Sequence, residues 1–236
     1  MIRTTDRRFG EVAHYCGQSG VQYYEYQSQW GEIAGQIIAR KFERHIRPSD
    51  VVLDFGCGGG FVLNSLACHR RLGVEINPIA RRAAETREVD CFETLDDIEN
   101  GLIDVAISHH SLEHVPSPLG ILREIQRKLK PGGLLLAVVP IDDWRNQKRY
   151  DPTDISHHLY TWTPLLLGHL LYEAGFDCQT LSTTIGINGW FRAFPHLVGR
   201  FPQPCLDVLL FLWCALRRTR EIYAVIRKPS ADSPPL

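Results

Sequence analysis

The run VVLDFGCGGG at positions 51–60 constrains this chain more than any other stretch. Val51, Val52, Leu53 and Phe55 form a short apolar segment around one carboxylate, Asp54, and Gly56, Gly58, Gly59 and Gly60 close it. An apolar run of that length bounded by glycines suits a strand covered on both faces, as in a parallel sheet. Glycines directly after it let the chain turn with positive φ and let a ligand approach the backbone with no Cβ in the way. A helix predicted from about Phe61 aims its free N–H groups at the same spot.

The ligand follows from charge. The spacing is G-x-G-x-G, and Phe61 stands where a dinucleotide-binding turn wants its third glycine. A pyrophosphate over this turn meets Asp54 at close range, which is unfavourable in a partly desolvated cleft, whereas a cationic amine is attracted. A second acid, Glu75, ends the next apolar run 21 positions after Asp54. An acid at that distance sits at the tip of the second strand and accepts hydrogen bonds from ribose hydroxyls. Ribose plus a cation without a pyrophosphate describes S-adenosylmethionine.

Four elements in order now resemble the class I S-adenosylmethionine-dependent methyltransferases. They are the D-x-G-C-G-x-G turn at Asp54–Gly60, V-E-I-N-P at Val74–Pro78, S-L-E-H-V at Ser111–Val115 and L-K-P-G-G at Leu129–Gly133. The resemblance covers roughly Arg47 to Ile226. It implies an α/β fold, a Rossmann-like doubly wound seven-stranded sheet of order 3-2-1-4-5-7-6 with the last strand antiparallel and helices on both faces. It also implies S-adenosyl-L-methionine as cofactor, and O- or N-methylation of a small-molecule or saccharide acceptor. The cofactor-binding residues it points to are Asp54, Gly56, Cys57, Gly58, Gly60, Glu75, Ile76, Glu93, Thr94, Ser108 and His109. Asp54 holds the cationic amino-acid end, Glu75 the ribose, and Glu93 and Thr94 lie where such enzymes contact adenine.

Length and charge set the outer limits. The chain has 236 residues, enough for one α/β domain with additions, and a net charge of −1 gives no basic field for nucleic acid. Seven cysteines without a C-x-x-C pair do not read as a disulfide framework. The polar N-terminus lacks a signal-peptide core and no stretch reaches the roughly 20 apolar residues of a membrane span, so the chain reads as cytoplasmic. The expected division is an N-terminal arm and helix at 1–46, a methyltransferase domain at 47–228 with a helical insertion at 185–220, and a tail at 229–236.

Residues 1 to about 21 lack periodicity and read as an irregular arm, followed by a helical stripe from Trp30 through Ile46 that Pro48 stops. The aromatics Tyr15, Tyr23, Tyr24, Tyr26 and Trp30 precede or open it, and in the family resembled such a segment often folds over the cofactor. Asn77 and Ser117, each followed by a proline, cap two further helices. In the second, Glu124 and Lys128 form an expected exposed i,i+4 pair.

Acceptor chemistry is expected in two places. His109 and His110 follow the fourth strand, IDVAIS at 103–108, beside the topological switch point, and His110 is a candidate general base. His114 reads as a structural residue that ties the loop down. The 19-residue polar loop at 141–159 is long for a compact domain and therefore reads as functional. It offers Asp142, Trp144, Arg145, Arg149, Tyr150, Asp151, His157 and His158, with Tyr160 just beyond, and His157 or His158 is the candidate for taking the acceptor's proton. No histidine pair falls on an H-E-x-x-H or Cys/His spacing, so no metal site is expected.

The apolar stretch LDVLLFLWCAL at 206–216, followed by Arg217, Arg218 and Arg220, is too short to span a bilayer. A buried packing helix is the first expectation for it. A lid, a homodimer contact or a peripheral membrane contact through 205–220 are the others. Two rival functions stay open at this stage: an idle S-adenosylmethionine-binding scaffold, and a nicotinamide-dependent oxidoreductase.

Overall fold

In a computed structural model the chain is described over residues 13–187, apart from 144, 146 and 153, at scattered positions from 202 to 216, and over 219–230. Residues 1–12, Trp144, residues 188–201, Arg217, Arg218 and the tail from 231 lie outside the described residues.

Seven strands make one sheet in the order β3-β2-β1-β4-β5-β7-β6. They are β1 Val51–Phe55, β2 Arg70–Val74, β3 Asp90–Phe92, β4 Ile103–His109, β5 Leu129–Ile141, β6 Asp177–Ile187 and β7 Arg220–Arg227. β1 through β5 pair in parallel, and β7 runs antiparallel between β5 and β6. This is the expected order. Helices α1 Gly17–Ser28 and α2 Gly31–Ala39 precede β1, and α3 Phe61–Asn64, α4 Pro78–Glu85, α5 Pro118–Lys128 and α6 Pro164–Glu173 lie between strands.

The sheet is buried on both sides, which explains its near-continuous apolar strands. Leu53, Phe55, Leu72, Val74 and Ala106 face a core closed by Leu122, Ile125, Trp162 and Phe176. Val52, Val105, Ile107 and Val138 face the other, closed by Ala39, Phe42, Leu63 and Leu66. Phe176 is fully buried, and its truncation to Ala costs about 3–5 kcal/mol.

The caps at Asn77 and Ser117 match the sequence reading: Asn77 Oδ1 accepts from Ile79 N and Ser117 Oγ from Gly120 N. At the start of α6, Thr163 Oγ1 accepts from Leu166 N in the same way, and in all three a proline opens the helix.

Four expectations need correction. The segment before Trp30 is not irregular to residue 21, because α1 begins at Gly17. It carries little apolar periodicity and is held at its start by contacts to α4, where Asn77 Nδ2 donates to Gly20 O at 2.8 Å. The stripe from Trp30 to Ile46 is not one helix: α2 ends at Ala39 and a 3-10 turn covers Glu43–His45. Lys128 does not pair with Glu124. It is buried and donates to Ile98 O at 2.7 Å, and Glu124 pairs with Arg127. Finally, the described residues between 205 and 216 are helical but not buried, with Val208, Phe211, Leu212 and Leu216 all more than half exposed.

Candidate functional site

The site is built at the C-terminal ends of β1, β2, β4 and β5. Directly after β1 the backbone takes positive φ at Gly56 (77°), Gly58 (53°) and Gly60 (77°). A side chain at Gly56 would also stand 2.3 Å from Ser111 Oγ, so this position excludes a Cβ by conformation and by space. At Gly58 the space is open apart from Gln27 Oε1 at 3.5 Å. Gln27 belongs to α1, as does Tyr24, which approaches the place of a Gly59 Cβ to 3.2 Å. Helix α1 therefore lies over the turn. Helix α3 has only four residues, so the expected helix N-terminus adds little here.

Two carboxylates flank the turn. Asp54 is 3% exposed, and burial, then the charge of Glu75, push its pKa up from 3.8 to about 7. Among the described residues no hydrogen bond reaches its carboxylate. Glu75 accepts from Gly58 N at 2.9 Å and from Asn77 N at 2.8 Å. Burial raises its pKa, against the pull of those two backbone donors and of Arg81. Two close, buried acids short of compensating charge form a place where an organic cation is favoured. S-adenosylmethionine, with a sulfonium and an ammonium, fits that deficit, and a dinucleotide does not.

The remaining expected cofactor residues divide by side chain. Cys57 is buried beneath the turn with Sγ 3.5 Å from Cys91 Sγ, so it offers the ligand backbone only. Ile76 presents its carbonyl to Arg81 Nη1 at 3.3 Å. Glu93 pairs with Arg81 at 3.0 Å at the rim, and Thr94 Oγ1 stands 3.5 Å from Asp97 Oδ2. Ser108 is fully buried with its hydroxyl unpartnered. The His109 ring turns toward the segment after α2, with Nε2 3.3 Å from Lys41 Nζ and its edge against Phe42. Burial, then the neighbouring His110 and Lys41, hold it neutral, with its pKa well below the usual histidine range.

His110 has φ of 52°, stacks on His109 at 4.4 Å, and brings Nε2 to 3.3 Å from Glu221 Oε2. Glu221 enters from β7, is 3% exposed, and its Oε1 lies 2.5 Å from Lys41 Nζ. Burial works against its charge, but the His110 and Lys41 contacts prevail and lower its pKa. His109 and His110 are thus tied to the segment after α2 and to β7.

A second cluster lies between the end of β5 and the loop at 141–159. His158 Nδ1 meets Asp142 Oδ2, just past the end of β5, at 2.7 Å. Burial opposes the charged ring, but Asp142 outweighs it and the His158 pKa is raised. His114 packs edge-on against His158 at 5.0 Å, and its Nδ1 meets Tyr15 Oη at 2.7 Å. Burial, then His158, push the His114 pKa down to about 4. Glu113 is wholly buried beside them, with both carboxylate oxygens unpartnered and its pKa raised by burial. His157 is exposed, has φ of 46° and stacks on His14 at 4.6 Å. The structure therefore separates the two adjacent loop histidines, placing 158 in the cluster and 157 at the surface.

Glu113, Lys41 and Glu221 are residues that the sequence pattern did not single out for chemistry, whereas Tyr15 is among the aromatics expected to fold over the cofactor and here reaches His114. Glu113 carried a signal, since it lies inside the S-L-E-H-V segment.

A seven-stranded sheet of this order, with an acid-flanked glycine turn at its switch point, defines a class I S-adenosylmethionine-dependent methyltransferase. The chain belongs to the Methyltransferase domain family, whose profile matches residues 25–181. It is 31% identical over 147 residues to the ubiquinone biosynthesis O-methyltransferase of Roseobacter denitrificans, covering 54% of this chain and 57% of that one. The chain spans between about a third and just over half the length of the curated relatives it matches. Among solved structures it is similar to the Haloferax volcanii chain crystallised with the Trm112 methyltransferase activator, at a TM-score of 0.60 and 18% identity over 89% of this chain and 94% of that one. Haemonchus contortus phosphoethanolamine N-methyltransferase 2, solved with S-adenosyl-L-methionine, gives 0.60 at 14% identity over 93% and 59%. Among the described residues no helix is long and apolar enough to cross a membrane.

Proposed function

We propose that the chain methylates a hydroxyl of a small-molecule acceptor bound between the glycine turn and the 141–159 loop, with His158 receiving the hydroxyl proton. The observation that carries this reading is the 2.7 Å contact of His158 Nδ1 with Asp142 Oδ2. A ring held at Nδ1 by a carboxylate keeps Nε2 as its free proton acceptor, and the carboxylate stabilises the imidazolium that forms. Such a base is needed for a hydroxyl, which is a poor nucleophile while protonated.

On this reading Asp54 and Glu75 face the cofactor's cationic amino-acid end and its ribose, and the backbone at Gly56, Gly58 and Gly60 allows close approach. The bound cofactor supplies a methyl group on a sulfonium, whose departure leaves a neutral thioether. The protein's own work is then alignment and exclusion of water, to which α1 over the turn and the loop after β5 contribute. The names of the ubiquinone O-methyltransferases support oxygen as the acceptor atom over the matched segment.

The test is a product screen with methyl-labelled donor against phenols, sugars and amines, run with wild type and His158→Ala. Labelled methyl ether, lost in His158→Ala while calorimetry shows unchanged cofactor affinity, is the expected result. Methylation confined to amines, or an unaffected variant, overturns the assignment.

A further inference from the structure

We propose that Glu113, His114 and His158 bind a divalent transition-metal ion of the zinc class on the acceptor side of the site. One ligand atom from each of the three lies within 4.8 Å of the others. Glu113 is 0% exposed and neither carboxylate oxygen has a hydrogen-bond partner. A carboxylate so enclosed must be neutralised by a proton or met by a cation.

The rings around it favour the cation. His114 is engaged at Nδ1 by Tyr15 Oη and turns Nε2 toward Glu113 Oε1 at 3.9 Å. His158 is engaged at Nδ1 by Asp142. Metal-bound imidazoles are held in this way, with the ring nitrogen that does not bind metal fixed by an oxygen partner. Two imidazoles and one carboxylate form a donor set for zinc and its neighbours, with positions left open for an exogenous oxygen.

A second group, His109, His110 and Glu221, is equally compact. It carries no such claim, because Lys41 Nζ already supplies its cation at 2.5 Å from Glu221 and 3.3 Å from His109.

Metal binding stands on the geometry alone, and its catalytic consequence rests on the hydroxyl-acceptor reading. With the ion bound, His158 serves as a ligand in place of a free proton acceptor, and a coordinated hydroxyl, whose deprotonated form the ion's charge favours, releases its proton to bulk water.

The full chain, stripped by chelator, is titrated with Co²⁺ and read by its ligand-field absorption, then challenged with Zn²⁺. One equivalent of Co²⁺, displaced by Zn²⁺, is expected. Asp142→Asn should weaken binding by about 10–100-fold, and Glu113→Gln and His158→Gln by more. Glu221→Gln should leave it unchanged. His158 is in a loop and partly exposed, so its variant guards against a folding defect in Glu113→Gln, and circular dichroism checks both. No Co²⁺ spectrum, undiminished binding in both ligand variants, or loss in Glu221→Gln overturns the site. Metal failure alongside a dead His158→Ala leaves the proton-acceptor reading standing alone. Metal binding without any methylated hydroxyl sustains the site and removes the proposed function.

Discussion

The two buried acidic neighbourhoods of this molecule are built differently. At the glycine turn, Asp54 and Glu75 come from the ends of adjacent parallel strands, and Glu75 is satisfied by backbone N–H groups of Gly58 and Asn77. Beside the 141–159 loop, Glu113 lies among side chains from three separate segments: Tyr15, His114, and the loop that brings Asp142 to His158. The first is a backbone device of fixed shape, suited to a cofactor that does not vary. The second is a side-chain device on loops, where acceptor chemistry can change without disturbing the sheet.

The comparison breaks most directly at His158. Its replacement by Ala should lower turnover by about 10²–10⁴-fold, the usual contribution of a positioned proton acceptor, and leave cofactor affinity unaltered. His157→Ala, one residue away but stacked on His14 at the surface, should stay within about twofold of wild type in the same turnover assay, since it removes no such group. Equal losses in the two variants would show that the loop, and not the dyad, carries the effect.

The glycine turn should respond in the opposite sense. Glu75→Ala removes a charged acceptor worth about 1.5–3 kcal/mol per hydrogen bond, so cofactor binding by calorimetry should weaken roughly tenfold to a hundredfold. The chemical step at saturating cofactor should change little by comparison. A variant that binds normally but turns over slowly would reverse the roles of the two neighbourhoods.

How much of each was legible follows from the same contrast. Asp54, the glycines, Glu75 and the capping Asn77 act within a short stretch, and strand order followed from a resemblance carried by contiguous motifs. The acceptor cluster joins positions 15, 113, 114, 142 and 158, and no spacing along the chain announces that. Charge pattern also misled where burial overrode it. Lys128 fits a solvent-facing pair by its distance from Glu124, yet its ammonium reaches inward to the Ile98 carbonyl. Helix α1 was obscured for the converse reason: only Gly20 of it is buried, so no apolar stripe marks it. Val208, Leu209, Phe211, Leu212 and Leu216 expose their apolar side chains, which an apolar run in the sequence does not reveal.

A smaller effect than that of His158→Ala concerns pH, and it reads the carboxylates at the glycine turn through cofactor binding. The Asp54 pKa rises from 3.8 to about 7 in the folded protein. Between those values the folded state binds more protons than the unfolded one, so the free energy of unfolding falls as pH rises through that window and levels off above it. Cofactor binding has the opposite slope, because a sulfonium and an ammonium prefer the ionised carboxylate. Affinity for S-adenosylmethionine should climb about tenfold between pH 6 and pH 8, following the ionised fraction of a group with that pKa. Glu75 is also raised by burial and sits in the same field, so part of the slope could belong to it. Asp54→Asn decides between them. It should flatten the affinity slope between about pH 6 and 8 and reduce the thermal-stability slope, to which the raised Glu113 and the lowered His114 also contribute. An affinity slope that persists in the variant assigns the titration to Glu75.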